Sequence, residues 1–565
     1  MDLESLSRRS LLRLAAGWYV ASLTGCAAMP RRDRAPEESS DAIAEWLQRH
    51  SPVDRTAPGT DRFAADDVAR AHAFLWNRSE PDFDAAPLES AGVVVLGGGM
   101  SGLLSAYLLR DLSPVVLEQS DRFGGHSRSE AWESVEYPLG AAYLCEPAPE
   151  SDAAAVLREL AVETFSRRRE GHFPVLVGGK LRTGWWRGET APEAASQFVR
   201  FKRYLDDVCN ERRGLRYPNL PTRSRRDEAV VGTLDTVSLD THLRKVLLPK
   251  GGTLHPEIVT FLDRYCFSTF AAAASEVSAA AGLNFLAAEA GPVLVPSGGN
   301  GRIAEALLEK LAFALPNGHL RPRSMALRVR SREGKSVVDY LDADGRPRRV
   351  QARQVVVAVP KYVALRLFDD LPADRQAAFR AVEYRAYVVA NVRLSRRPEG
   401  DEYDVFSLDG SAGGVPPALE ASVTSDVTRA RFASLDRSGR QPRTDAEVLT
   451  FFRALPFTGA RPGLLAPDAF ERLRACFERE LDGFLPALGV RPDAVRGIRL
   501  VRWGHAMPVP KVGIYRQRLP ERLSASLGGT VHFAHQDNWC LPAFETAMDA
   551  ALAVSSTVRE ALLKG

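Results

Sequence analysis

Residues 92–129, GVVVLGGGMSGLLSAYLLRDLSPVVLEQSDRFGGHSRS, constrain this chain more than any other stretch. Residues 93–96 are a short unbroken apolar run, as in a strand buried on both faces. The run leads into Gly97, Gly99 and Gly102, spaced G-x-G-x-x-G. In that spacing the first glycine makes the tight turn. The second lets a pyrophosphate approach the backbone, and the third lets the helix lie close to the strand. Leu103, Leu104, Tyr107 and Leu108 then give an apolar helical face, and Val115–Leu117 a second strand. Glu118 ends that strand, 21 residues after Gly97. An acid about 20 residues on reaches a ribose 2′-hydroxyl and repels a 2′-phosphate, so FAD or NAD is expected rather than NADP. The alternative is a glycine-rich turn without ligand, but strand, helix, second strand and acid are all in place.

Arg122-Phe123-Gly124-Gly125 comes four residues after Glu118. It resembles the Arg-x-Gly-Gly segment of the flavin amine oxidase superfamily, which also holds protoporphyrinogen oxidases and phytoene desaturases. There the segment lies along the FAD pyrophosphate and ribityl chain, so the resemblance implies FAD. It implies cofactor contacts at Gly97, Gly99, Met100, Ser101, Gly102, Glu118, Gln119, Arg122, Gly124, Gly125 and His126. Tyr137-Pro138-Leu139-Gly140-Ala141-Ala142-Tyr143 resembles a segment that passes the flavin ring, which adds Gly140, Ala141 and Ala142. Pro296-Ser297-Gly298-Gly299-Asn300-Gly301 resembles the turn at the return to the cofactor domain; no Gly-Lys-Ser/Thr follows, so it is not a Walker loop. Short strands are expected at 327–329 and 336–341, with a hairpin signalled by Asp344-Gly345. The resemblance gives the backbone of Val329 the adenine edge. Residues 355–359 form another apolar strand, ended by Pro360.

The C-terminal part is similar to the family's closing Phe-Ala-Gly-Glu/Asp, Glu-Gly-Ala and helix, with departures. His535 stands where Gly is usual, Gln536 or Asp537 where the acid sits, and Thr546 at the second Gly. Asp537 and Ala547 are carried over as cofactor contacts. The implied fold class is α/β: a discontinuous Rossmann-like FAD-binding domain (90–164, 295–385, 501–565) with a second, α+β substrate domain (165–294, 386–500). Residues 30–89 read as a tether and N-terminal helices outside the cofactor domain. Trp185-Trp186 opens a region rich in Arg, Ala and aromatics that reads as mostly helical, the pair being core or rim rather than a substrate platform.

With 565 residues, 45% hydrophobic and 26% charged, the chain has the composition of an ordinary globular protein of two domains. A net charge of +3 with scattered Arg argues for no nucleic-acid partner. Six Cys without a Cys-x-x-Cys pair indicate neither a zinc ribbon nor a disulfide framework, and no metal site is expected. No apolar run reaches the ~18 residues of a transmembrane helix. Residues 1–29 read as an address rather than as fold. Ser7-Arg8-Arg9-Ser10-Leu11-Leu12 resembles a twin-arginine export signal, with Arg13 where Lys is usual. Leu23-Thr24-Gly25-Cys26 resembles a lipobox, which implies lipid on Cys26 and a periplasmic, membrane-anchored protein. Export of the folded chain would suit a cofactor loaded in the cytoplasm.

The implied chemistry is hydride removal from a small-molecule C–H onto flavin N5, with reoxidation by O2 or a quinone. Amine oxidases generally hold a Lys near N5. Aligning the strand end at Pro360 puts Arg366 there; Arg cannot deprotonate, so it would hold water without acting as a base. Lys361 is the other candidate. Trp503 and Trp539 are candidates for an amine-binding aromatic pair, because Ala543 stands where one ring is usual. Two alternatives are a desaturase or isomerase acting on an apolar lipid-like substrate, and a non-catalytic lipoprotein that keeps the fold as a binding module.

Overall fold

The computed structural model describes residues 40–564 except 57, 66–67, 78–80, 163–164, 169–173, 290–291, 333, 401, 411–414 and 434–442. The export signal, Cys26 and the tether lie outside the described residues. The chain divides into two compact units, one ending at Trp46 and the other running from Leu47. Of the first, the opening turns of helix Ser40–His50 are described. All that follows concerns the second.

Two seven-stranded sheets dominate it. The first runs Leu320–Arg321, Val115–Leu117, Leu88–Leu96, Pro347–Val357, Lys335–Leu341, Met325–Arg332, with Val531–Phe533 also on Pro347–Val357. Its parallel core is made by the valine runs: Val94 pairs with Val115 and Val355, and Val355 with Val531. Val93, Val94, Val95, Val355, Val356 and Val357 have no exposed surface, as strands covered on both faces require. Strand Pro347–Val357 serves three partners: it pairs parallel with Leu88–Leu96 from Arg349 to Val357, antiparallel with Lys335–Leu341 over residues 347–352, and parallel with Val531–Phe533 over residues 355–357.

The second sheet runs Val495–Pro508, Tyr384–Leu394, Glu447–Leu455, Asp426–Arg429, Asp404–Ser407, Val175–Val177, Lys180–Arg182. Helix Ala469–Ala487 packs Leu473, Phe477 and Leu481 against it. Helices Ala195–Cys209, Pro256–Phe270 and Ala279–Glu289 form a separate core around Trp185, which is fully buried and stacks on Phe261 at 4.8 Å. Strand Val495–Pro508 carries the second sheet past residue 501, where the cofactor domain was expected to resume.

A buried charged cluster joins the second sheet to the hairpin Ser129–Trp132/Val135–Pro138. Arg499 forks onto Glu130 at 2.8 and 2.9 Å. The Tyr137 hydroxyl donates to Glu130, and Arg393 donates to Tyr137. Residues 51–55, expected outside the cofactor domain, are built into it. Val53–Asp54 pairs parallel with Ser129 and Glu130, and Arg55 forks onto Glu305 at 2.6 and 3.0 Å. A two-residue strand carries no periodic signal, so composition could not reveal it. Among the described residues no helix is long and apolar enough to cross a membrane.

Candidate active site

Two glycine segments lie side by side at the end of the parallel strands. Gly97 turns with φ +101°, a conformation open to glycine. A Cβ on Gly102 would lie 1.8 Å from the Gly97 carbonyl oxygen, so the helix Met100–Leu108 approaches the strand as only glycine permits. Gly99 is that helix's N-cap, and no side chain caps it. A Cβ on Gly99 would meet nothing nearer than the Gly125 Cα at 3.8 Å. The Gly124 N–H donates to the Gly98 carbonyl at 2.8 Å, bringing the second segment alongside. The result is an amide-lined gap at a helix N-terminus, the physical requirement for a diphosphate.

Glu118 stands beside this gap. One carboxylate oxygen accepts from the Gly98 N–H at 2.6 Å, the other from the Ser120 N–H at 2.8 Å. A carboxylate has about four acceptor sites, so acceptor capacity beyond these N–H groups and the Ser120 side chain is left for a ribose hydroxyl. Burial pushes the Glu118 carboxyl above the usual range, against the pull of both N–H groups and Arg128. A dinucleotide fits these residues: Gly97, Gly99, Met100, Ser101, Gly102, Gly124 and Gly125 around the diphosphate, Glu118 on the sugar.

Beyond the gap, the segment 139–142 is fixed on both sides. Ala141 N–H donates to the His126 carbonyl at 3.1 Å, and Asn300 N–H donates to the Ala141 carbonyl at 3.0 Å. Gly140 and Gly299 permit this: a Cβ on either would fall 2.4 or 2.8 Å from the His126 or Ala141 oxygen. Helix Phe544–Lys564 crosses the first helix where the Ser101 hydroxyl donates to the Ala547 carbonyl at 3.2 Å. Trp503 reaches the same place, donating from Nε1 to the Leu139 carbonyl at 2.8 Å with its ring 4.7 Å from that of His126. Burial, with His535 and Arg128 nearby, pushes His126 down to about 4, so it is neutral. Glycines, Glu118, His126, the 140–142 segment, Trp503 and Ala547 thus converge.

Several expected residues lie elsewhere. Gln119 is exposed. Arg122 is held by the carbonyls of Gln48 and Ser51 and by Asp54, so it secures the 48–54 segment. Val329 is buried in the hairpin opposite Val338. The chain that meets Glu118 is residue 324, whose N–H donates to the Glu118 carbonyl, and Val329 lies five strand residues or roughly 16 Å further on. Arg366 is exposed in the last turn of helix Lys361–Leu367, about 140° around from Lys361. Trp539 stacks on Tyr515 at 6.4 Å and packs against the helical core.

Lys361 and Asp537 bond each other. Neither has any exposed side-chain surface. Lys361 Nζ meets Asp537 Oδ1 at 2.6 Å and Asn538 Oδ1 at 2.5 Å, and the Lys361 N–H and Tyr384 hydroxyl donate to Asp537 Oδ2. Burial alone would raise the Asp537 carboxyl, but His535 and Lys361 hold it far below the usual range. Asp537 therefore has no free face for a ribityl chain, and Lys361 none for a substrate. Tyr384, Asn538 and Asn300 were missed because only their three-dimensional partners give them a role. Asn300 is fully buried and holds the Tyr143 carbonyl through Nδ2.

The family model described as flavin containing amine oxidoreductase matches residues 100–534. "Oxidoreductase PigB" of Serratia sp. (strain ATCC 39006) is 24% identical over 537 residues, covering 86% of this chain and 77% of that protein. A solved putrescine oxidase variant superposes with TM-score 0.60 at 17% identity, over 84% of this chain and all of its own. A fatty acid isomerase from P. acnes superposes with TM-score 0.55 at 15% identity, over 82% and 98%. This chain belongs to the flavin containing amine oxidoreductase family and is an FAD-dependent oxidoreductase.

Proposed function

We propose that the protein oxidises a small molecule at a C–H bond next to nitrogen. The observation that carries the reading is the amide-lined gap with Glu118 at its side, continuous with the 139–142 segment and Trp503. FAD held there would supply a two-electron acceptor, with O2 or a quinone as the final oxidant. The chain's part is to bind and orient. Gly99 and the helix N-terminus take the diphosphate, Glu118 takes the diol, and neutral His126 and Trp503 shape the wall beside Gly140. Neutral His126 adds no positive charge to that wall. No Lys or Arg among the two candidates is placed to act as a base, so an amine must arrive unprotonated or lose its proton to solvent.

The test is anaerobic. Purified protein should be yellow, and an amine substrate should bleach it, with H2O2 released on admitting air if O2 is the acceptor. A colourless protein overturns the reading. A second reading, an isomerase or desaturase of apolar lipid-like compounds, is favoured by the fatty acid isomerase likeness. Bleaching by an alkene and not by amines would select it.

We also propose export and lipid attachment through Ser7-Arg8-Arg9 and Cys26. Cys26→Ala should move the protein from the membrane to the soluble fraction. Retention in the membrane excludes the anchor.

A further inference from the structure

The order of the parallel strands fixes which way a dinucleotide runs across the site. At their carboxyl ends stand, in spatial order, Glu118 after Val115–Leu117, Gly97 after Leu88–Leu96, Ala358 after Pro347–Val357 and Ala534 after Val531–Phe533. The Ala534 N–H donates to the Val357 carbonyl at 3.0 Å, which carries the last pairing to the strand end. Neighbouring strands lie about 4.8 Å apart, so Ala534 is about 10 Å across the sheet from Gly97, on the side away from Glu118. A ligand with its ribose on Glu118 and its diphosphate at Gly97–Gly99 therefore extends its second half toward residue 535.

His535 follows Ala534, and its Nδ1 is turned to Asp537. That nitrogen lies 3.2 Å from the Asp537 amide nitrogen and 3.1 Å from Oδ1. The Asp537 side chain has no exposed surface, while that of His535 keeps 16%, so the open edge of the ring is the one that bears Nε2. Nε2 has no hydrogen-bond partner among the described residues. The ring is also within electrostatic range of His126 on the wall of the gap. Both protonation states put a hydrogen on Nε2. In the neutral ring Nδ1 accepts from the Asp537 N–H, which leaves the hydrogen on Nε2. In the cation Nδ1–H faces Oδ1, and Nε2 carries a hydrogen as well.

We propose that His535 donates from Nε2 to bound FAD on the flavin side of its diphosphate. The ribityl hydroxyls and ring carbonyls on that half are acceptors. Glu118 accepts from the sugar at one end of the site and His535 donates at the other, so the two halves of the cofactor are read with opposite polarity. Asp537, expected to bond the ribityl chain itself, acts through His535 instead. Lys361 and Tyr384 hold its carboxylate, and the carboxylate and its own N–H hold the ring. His535 so placed depends on FAD as the cofactor and not on which substrate is oxidised.

The test compares FAD with ADP, which carries the same sugar and diphosphate and lacks the ribityl chain and the flavin ring. ADP is titrated into the yellow holoprotein, and the flavin it displaces is read by fluorescence, which gives the preference for FAD over ADP. His535→Leu removes the donor and should lower that preference roughly tenfold, the worth of one well-made hydrogen bond. A His535 that only secures the turn around Asp537 would weaken both ligands alike, so an unchanged preference in His535→Leu overturns the proposal. Glu118→Gln touches the sugar that both ligands share and should leave the preference unchanged. A drop there matching that of His535→Leu would overturn the placement of His535 on the flavin half. Should His535→Leu not fold, the unaltered protein decides, through exchange of the His535 imidazole C2 proton for deuterium, read by mass spectrometry. That exchange should be slower in the holoprotein than in protein whose flavin ADP has displaced; equal rates overturn the proposal.

Discussion

Two carboxylates are buried within the same parallel-sheet region, and they have opposite fates. Glu118 meets the backbone N–H groups of Gly98 and Ser120 and the Ser120 side chain, none of them charged. Asp537 meets an ammonium, an N–H, a phenol and the His535 ring, and keeps nothing. The first is a carboxylate held open for a ligand. The second is a structural bolt between the strand end at Lys361 and the turn before the last helix. Burial alone does not make a site; what matters is whether the partners leave an acceptor over.

Substitutions can break or sharpen this contrast. The largest effect is expected at Gly102, where a Cβ would strike the Gly97 carbonyl. Gly102→Val should abolish flavin retention, read as loss of visible absorbance per mole of purified protein. Retained colour would contradict the close helix–strand approach. Next is Lys361→Met, which strands Asp537 in the interior. Breaking a buried pair costs about 3–5 kcal/mol, to be read in urea denaturation as a lowered midpoint. A loss under 1 kcal/mol, used as a rough threshold, would mean the bolt is dispensable.

Glu118→Gln should be milder on stability and specific to the cofactor, weakening FAD by roughly ten- to a hundredfold for the lost charged acceptor. The pH dependence distinguishes the two acids. The Glu118 carboxyl lies above its ordinary 4.5, so flavin retention should fall while pH is still above that value, as the carboxyl gains a proton. In flavin-free protein, stability should correspondingly decline as pH rises from 4.5 through the raised value, because the folded state holds the proton more tightly. The Asp537 carboxyl lies below its ordinary 3.8, so its contribution is full above 3.8 and is lost only as pH falls toward the folded value. Gel filtration with absorbance at stepped pH checks the first, and denaturation of the flavin-free form the others. The smallest effect is expected for Arg366→Ala. The residue is exposed, and the anaerobic rate of flavin reduction should change less than about twofold.

What the sequence made legible follows the same division. The glycine spacing, the acid at the strand end and the valine runs are local patterns, and local patterns specify a backbone-built gap. The bulk of the second sheet and the helical core around Trp185 were readable only as texture. Lys361 and Asp537 are 176 residues apart. Nothing near either one says that they meet, so one looked like a base and the other like a sugar ligand. Val329 failed for another reason: the strand was anticipated at 327–329 and begins at Met325. The Val53–Asp54 strand was too short to show at all.

The fork between Arg499 and Glu130, with Tyr137 and Arg393 behind it, has a mechanical consequence. Pulling the large sheet away from the neighbouring hairpin would part a guanidinium from its buried carboxylate, at a cost of about 3–5 kcal/mol, so the fork couples the two layers mechanically.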